Sequence, residues 1–207
     1  PSELNSSNKR FVLKNLHDNA RFRNYENDFL WLSQADMALP TFNTDEPISP
    51  LKLSEKRSLF KLFQNDVGLL ACQYAEDIQL KLLQGETNIN YGAIYENAVA
   101  QELHCHGWNL YYFNHKSQGE LDFLLERDAE IIPLEVKSGK YYARHNALSN
   151  VLENAEYGIK QAIVLCNDNV RVTEKIVYMP IYMTIFIHRK QQKEELIYKL
   201  DLPDFMK

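Results

Sequence analysis

Cysteine is scarce. Cys72, Cys105 and Cys166 are the three in 207 residues, far apart and without a CxxC pair. That excludes a disulfide framework and a zinc ribbon, and it suits a reducing, cytoplasmic setting. Glycine is also rare, 7 in 207, so a glycine-rich phosphate cradle has few residues to be built from. Gly139-Lys140 looks like the end of a P-loop. However, Leu134 stands where its first glycine is needed, and Tyr141 where Ser or Thr must hold magnesium, so the chain carries no ATP site. Long apolar runs are missing too. Stretches such as Ile131–Leu134 and Ile159–Cys166 are too short to cross a bilayer. Nor is there an excess of positive charge. With 23 Lys and Arg against 28 Asp and Glu, the net charge is −5, which excludes a uniformly basic nucleic-acid coat but leaves room for a local basic track. G-x-S-x-G and HExxH motifs are absent. The chain opens Pro1-Ser2-Glu3, with neither a methionine nor an apolar leader, and reads as a piece of a longer protein.

What is present describes a globular α/β protein. Hydrophobic residues at 45% and charged residues at 25% are ordinary proportions, and 207 residues suffice for one good-sized core. Phe22, Tyr25, Phe29 and Leu32 recur at helical steps and predict an amphipathic helix. Residues 41–50, with two prolines, Asp45 and Glu46, read as a loop or hairpin tip, and Leu59–Phe63 as a strand ending near Asn65-Asp66-Val67-Gly68. The expected division is a small helical, winged-helix-like subdomain over residues 1–55 and an α/β domain over 56–207. In the latter, Tyr91, Tyr95, Val99 and Leu103 predict a helix to Cys105. Strands are predicted at 108–113, 120–126 and 130–137, a helix at 147–157, and strands at 159–166 and 175–179. Pro180 then opens a last helix. This order implies a mixed sheet flanked by helices.

The informative stretch is Gly119-Glu120-Leu121-Asp122-Phe123 followed by Pro133-Leu134-Glu135-Val136-Lys137-Ser138-Gly139. Alternate strand residues share a face, so Glu135 points with Lys137, and Glu120 with Asp122, opposite Leu121, Phe123 and Leu125. A two-residue turn at Asp128-Ala129 pairs Asp122 with Glu135, whereas a three-residue turn shifts the register by one. In the first register two carboxylates and an ammonium share one face. Adjacent carboxylates repel unless a cation neutralises them. Mg²⁺ (or Mn²⁺) prefers oxygen donors and keeps its waters, and a lysine beside it can act on a water at a phosphate.

Asp122 with Glu135-x-Lys137, and Gly92-x-x-x-Glu96 on the preceding helix, resemble the PD-(D/E)XK, restriction-endonuclease-like nuclease superfamily. Glu96-Asn97, Glu102-Leu103, the Gly-Glu-Leu-Asp-Phe and Glu-Val-Lys-Ser-Gly segments, and Lys61–Leu70 resemble a narrower group, the uncharacterised domain C-terminal to AAA-type ATPases of bacteria and archaea. The resemblance runs from about Ser54 to Pro180. It implies a restriction-endonuclease-like fold and Mg²⁺-dependent hydrolysis of DNA. It makes Asp122 and Glu135 metal ligands and Glu96 a supporting acid, with Lys137 acting on the water or the scissile phosphate. It also implies an upstream ATPase, which this chain lacks. The superfamily's proline–aspartate pair is Leu121-Asp122 here.

Each signal has a plainer counterpart. Glu135-x-Lys137 alone is the default polar face of a half-buried strand. Glu96 is preferred to Glu102 because Gly92 precedes it by four residues, although it also stands at the edge of the helix's apolar arc. Gln161 reads as a structural hydrogen-bonding residue. Lys116, Lys140 and Arg144, with His145 and the interleaved Tyr141 and Tyr142, are candidate phosphate contacts, or ordinary surface. His104-Cys105-His106 has no zinc spacing and reads as structural. Because a fold does not fix a function, the alternative to a nuclease is an inactive module that docks nucleic acid or protein for the ATPase.

Overall fold

The computed structural model describes residues 10–16, 18–86, 90–139 and 141–189. Among these residues five α-helices, α1 (Phe22–Gln34), α2 (Val67–Ala71), α3 (Glu76–Gln84), α4 (Gly92–Cys105) and α5 (Asn146–Glu153), accompany one mixed sheet. Its strands are β1 (Ala38–Thr44), β2 (Glu55–Gln64), β3 (Tyr111–His115), β4 (Gly119–Arg127), β5 (Glu130–Val136), β6 (Ala162–Cys166), β7 (Arg171–Val172) and β8 (Ile176–Pro180), in the order β2-β1-β3-β4-β5-β6-β8-β7. β1 with β3, β5 with β6, and β6 with β8 run parallel, while the remaining pairs are antiparallel.

The N-terminal part departs from its reading as a helical unit with a loop at 41–50. Residues 38–44 are β1, and the expected boundary after residue 55 cuts β2 behind its first residue, parting β1 from its own partner. β1 contains Pro40, and proline cannot donate to a ladder. β1 tolerates it because Pro40 pairs with Leu62 of β2, whereas pairing to β3 begins only at Phe42. α3 was not anticipated, although Glu76 and Asp77 in its first turn and Gly85 just beyond it, at φ +70°, are ordinary helix punctuation. Pro180 leads into a 3-10 turn, Ile181–Phe186, rather than an α-helix.

Helices cover both faces of the sheet. Val99, Ala100 and Leu103 of α4 pack on Phe63, Phe123, Leu125, Leu134 and Val136, and Leu148, Val151 and Leu152 of α5 pack with Leu121, Leu124, Ile131 and Val164. α4 ends in a Schellman arrangement. Trp108 N–H donates to Leu103 O and Gly107 N–H to His104 O, with Gly107 at φ +79°, a backbone that favours glycine. Within β4 the simple alternation fails. Tyr111 pairs with Leu124 but Phe113 with Leu121, so β4 carries one extra residue across the Asp122-Phe123 step. This bulge puts Leu121 and Leu124 in one core and Phe123 and Leu125 in the other, correcting the expectation that Leu121, Phe123 and Leu125 share a face.

The β4–β5 turn is the two-residue one. Arg127 pairs with Glu130 and the register runs unbroken to Phe123–Leu134. Asp128 and Ala129 both take positive φ, 52° and 60°, as a type I′ turn requires. An alanine held there is strained. Replacement Ala129→Gly is expected to stabilise the fold by about 1 kcal/mol, read as a higher denaturation midpoint at unchanged denaturant sensitivity.

Candidate functional site

The β4–β5 ladder stops one step before Asp122 and Glu135, the next residues along the two strands. There a side chain takes over from the backbone, as Asp122 Oδ2 accepts the Val136 N–H at 2.9 Å. The bulge and this bond together aim Asp122. Glu135 carries its own cation, since Lys137 Nζ donates to Glu135 Oε1 at 2.5 Å. Lys137 N–H in turn donates to Leu165 O, which ties the end of β5 to β6. Asp122 and Glu135 are 5% and 6% exposed, so both are carboxylates held inside the protein at a rim where strand pairing ends. The rim also gathers the carboxyl ends of the parallel strands β5, β6 and β8, the end at which open α/β sheets bind ligands.

α4 approaches the same rim. A Cβ added to Gly92 would lie 3.9 Å from Ser138 Oγ, so the helix starts against the residue that follows Lys137. Glu96, on the second turn, is 3% exposed. Its neighbour Asn97 bridges to β2, accepting from Gln64 N–H at 2.8 Å and donating to Gln64 O at 2.9 Å. Glu102, the competitor on this helix, instead meets His106 Nε2 at 3.1 Å, away from the rim. His106 also lies against His188, ring centroids 4.0 Å apart at a tilt of 38°, and His104 faces Asp36, which gives the His-Cys-His stretch its structural use.

Sequence reasoning passed over Lys61. It is fully buried in β2, with Nζ 2.7 Å from Glu120 Oε1 and 3.8 Å from Asp122 Oδ1. Asn114 Nδ2 donates to the other oxygen of Glu120 at 2.5 Å. The signal was available in the strand pattern: Lys61 alternates onto the face of Phe63, which is buried.

The basic candidates are scattered. Lys140 lies outside the described residues. Lys116 is exposed in the β3–β4 turn. That turn is drawn against α5, because Gly119, at φ +96°, leaves only 2.8 Å between an added Cβ and Ala147 Cβ. Arg144 is exposed just before α5, with its guanidinium carbon 5.6 Å from the Tyr141 ring centroid. Arg171, unremarked in the sequence, stacks over Tyr178 at 4.3 Å and lies 5.9 Å from Tyr142. Tyr142 Oη donates to Asp168 Oδ2 at 2.6 Å, a bond that raises the phenol's pKa and lowers the carboxylate's. A cleft lined by Tyr91, Tyr95, Ser138, Gly139, Tyr142 and Asn167 opens beside the Lys137–Gly139 segment. Gln161 is exposed before the first residue of β6, at the far end from this rim.

Among the described residues no three His, Cys, Asp or Glu side chains are grouped so as to hold a metal. The two buried carboxylates nonetheless suit a hard divalent ion, because Mg²⁺ takes one or two protein carboxylates and keeps water in its other positions. No described helix is long and apolar enough to cross a membrane.

Residues 91–184, from the start of α4 into the 3-10 turn after the last strand, match a domain of unknown function (DUF4143). The match covers Glu96, Asp122, Glu135 and Lys137, and it leaves β1, β2 and Lys61 outside. No curated protein and no solved structure matches the chain.

His145 gives the rim a pH signature. Burial lowers its pKa below the ordinary 6.5, and the nearby charges of Lys137 and Arg171 push the same way. Its Nε2 sits 2.8 Å from Tyr178 Oη. The unfolded chain therefore takes up this proton more readily than the folded one, and stability falls as pH drops below about 6.5. Unfolding free energy measured from pH 8 to 5 is expected to lose that part of its slope in His145→Gln.

Proposed function

We propose that this is the nuclease-like C-terminal module of an AAA-type ATPase, and that it hydrolyses phosphodiester bonds of DNA with Mg²⁺ (or Mn²⁺). The observation that carries the reading is the rim itself. Asp122 and Glu135 stand buried at the ends of adjacent strands, with the Lys137 ammonium on Glu135. The link to an ATPase rests on the match over residues 91–184, a domain often found C-terminal to AAA ATPases.

Asp122 and Glu135 are the residues that would hold the ion, with Glu96 supporting it through water. When bound there, Mg²⁺ supplies charge neutralisation at the scissile phosphate and a more acidic water. Asp122 is oriented before any substrate arrives, because the Val136 N–H fixes one of its oxygens. Lys137 carries the second role. Its ammonium rests on Glu135 and is half-buried, and it turns to a phosphate oxygen or to the attacking water when substrate enters. Arg144 and Lys116 bind backbone phosphates flanking the cut, and Tyr141 and Tyr142 offer faces for unstacked bases.

One observation favours a second reading. Lys137 satisfies Glu135 directly, and no three-carboxylate cage is present among the described residues. An inactive module docking nucleic acid or protein for the ATPase needs no more than that.

Cleavage assays on single- and double-stranded DNA and RNA separate the two. A nuclease requires added Mg²⁺ or Mn²⁺, and Asp122→Asn, Glu135→Gln and Lys137→Ala each lower the rate by about 100-fold or more with the circular dichroism spectrum unchanged. Metal-independent cleavage, or rates unaffected by these substitutions, would contradict it.

A further inference from the structure

Lys61 is a charged residue with no exposure, set in the interior of β2. A buried ammonium is costly unless it is paired, and this one is paired with the candidate site: Glu120 at 2.7 Å and Asp122 at 3.8 Å. The Tyr112 ring closes its other side, with the centroid 4.9 Å from Nζ. Nζ makes no well-aligned hydrogen bond among the described residues. It therefore acts on Asp122 through charge rather than direction, while direction comes from the Val136 N–H.

We propose that Lys61 is the resident counter-cation of this site, and that it holds down the affinity of Asp122 for a divalent metal ion. The inference rests on the reading of Asp122 as a metal ligand. It goes further by bringing a residue of the N-terminal strands into the site, outside the residues matched by the domain family. Two cations beside one carboxylate repel each other. The free protein then takes up metal weakly, and the negative charge of a phosphodiester is needed to draw the ion in. Lys61 cannot itself reach substrate, because Nζ lies beneath the sheet's covered face with no exposed surface.

Calorimetric titration of the whole 207-residue chain with Mn²⁺ tests this without reference to activity. Lys61→Met is expected to bind Mn²⁺ about fivefold or more tighter than the unaltered protein, and adding Asp122→Asn to it is expected to abolish that binding. If the unaltered protein binds Mn²⁺ and folded Lys61→Met binds no more tightly, the proposal is overturned while the metal site stands. If neither binds, both fall. Should Lys61→Met fail to fold, Lys61→Met/Glu120→Gln removes the ion pair as a unit and is compared with Glu120→Gln alone. Tighter binding by the double variant supports the proposal, and equal binding overturns it.

Discussion

The tight turn at Asp128–Ala129 sets the register on which the candidate site depends. Because it has two residues, Arg127 faces Glu130, and the pairing runs back to bring Asp122 and Glu135 to the same end of adjacent strands. A one-residue slip would turn every side chain of one strand to the other face, taking Leu134 out of the core it shares with Phe123 and Val136. The hairpin is also central to the sheet, with β3 on one side and β6 on the other. The positions of α4, α5 and the rim follow from it.

A second constraint acts across the sheet. The buried charge of Lys61 and the carboxylates of Glu120 and Asp122 are drawn from strands separated by β1 and β3. Each would be unfavourable alone in this interior. Their mutual need couples the N-terminal strands to the β4 bulge, as does the Asn97 side chain spanning α4 and β2. Strands β1 and β2 complete the sheet, and Lys61 of β2 the electrostatics of the rim, which a reading of residues 1–55 as a separate helical unit did not capture.

Much of the fold was legible because its signals are local. The four-residue rhythm of Tyr91, Tyr95, Val99 and Leu103 gave α4 to within a residue, and the alternation around Glu135 gave β5. The turn was legible only as an alternative, since Asp-Ala lacks the glycine that would have marked it. What escaped depends on distant partners. The second half of β1 was absorbed into a loop reading of 41–50 by Asp45, Glu46 and two prolines that all follow the strand, and its partners β2 and β3 both lie beyond that loop in sequence. The β4 bulge leaves no mark in Leu121-Asp122-Phe123. For Lys61 the alternation with Phe63 marked the buried face, but the acids that pair with a lysine there lie sixty positions away. The basic candidates were named from proximity in sequence, while the stacked Arg171 comes from the far side of α5 and β6.

The most direct test of the account is anomalous diffraction from crystals of the protein soaked in Mn²⁺. The account predicts one strong peak at coordinating distance from the carboxylates of both Asp122 and Glu135, lost in Asp122→Asn crystals. A fully occupied Mn²⁺ elsewhere, or none at the rim with both carboxylates ordered, would contradict it.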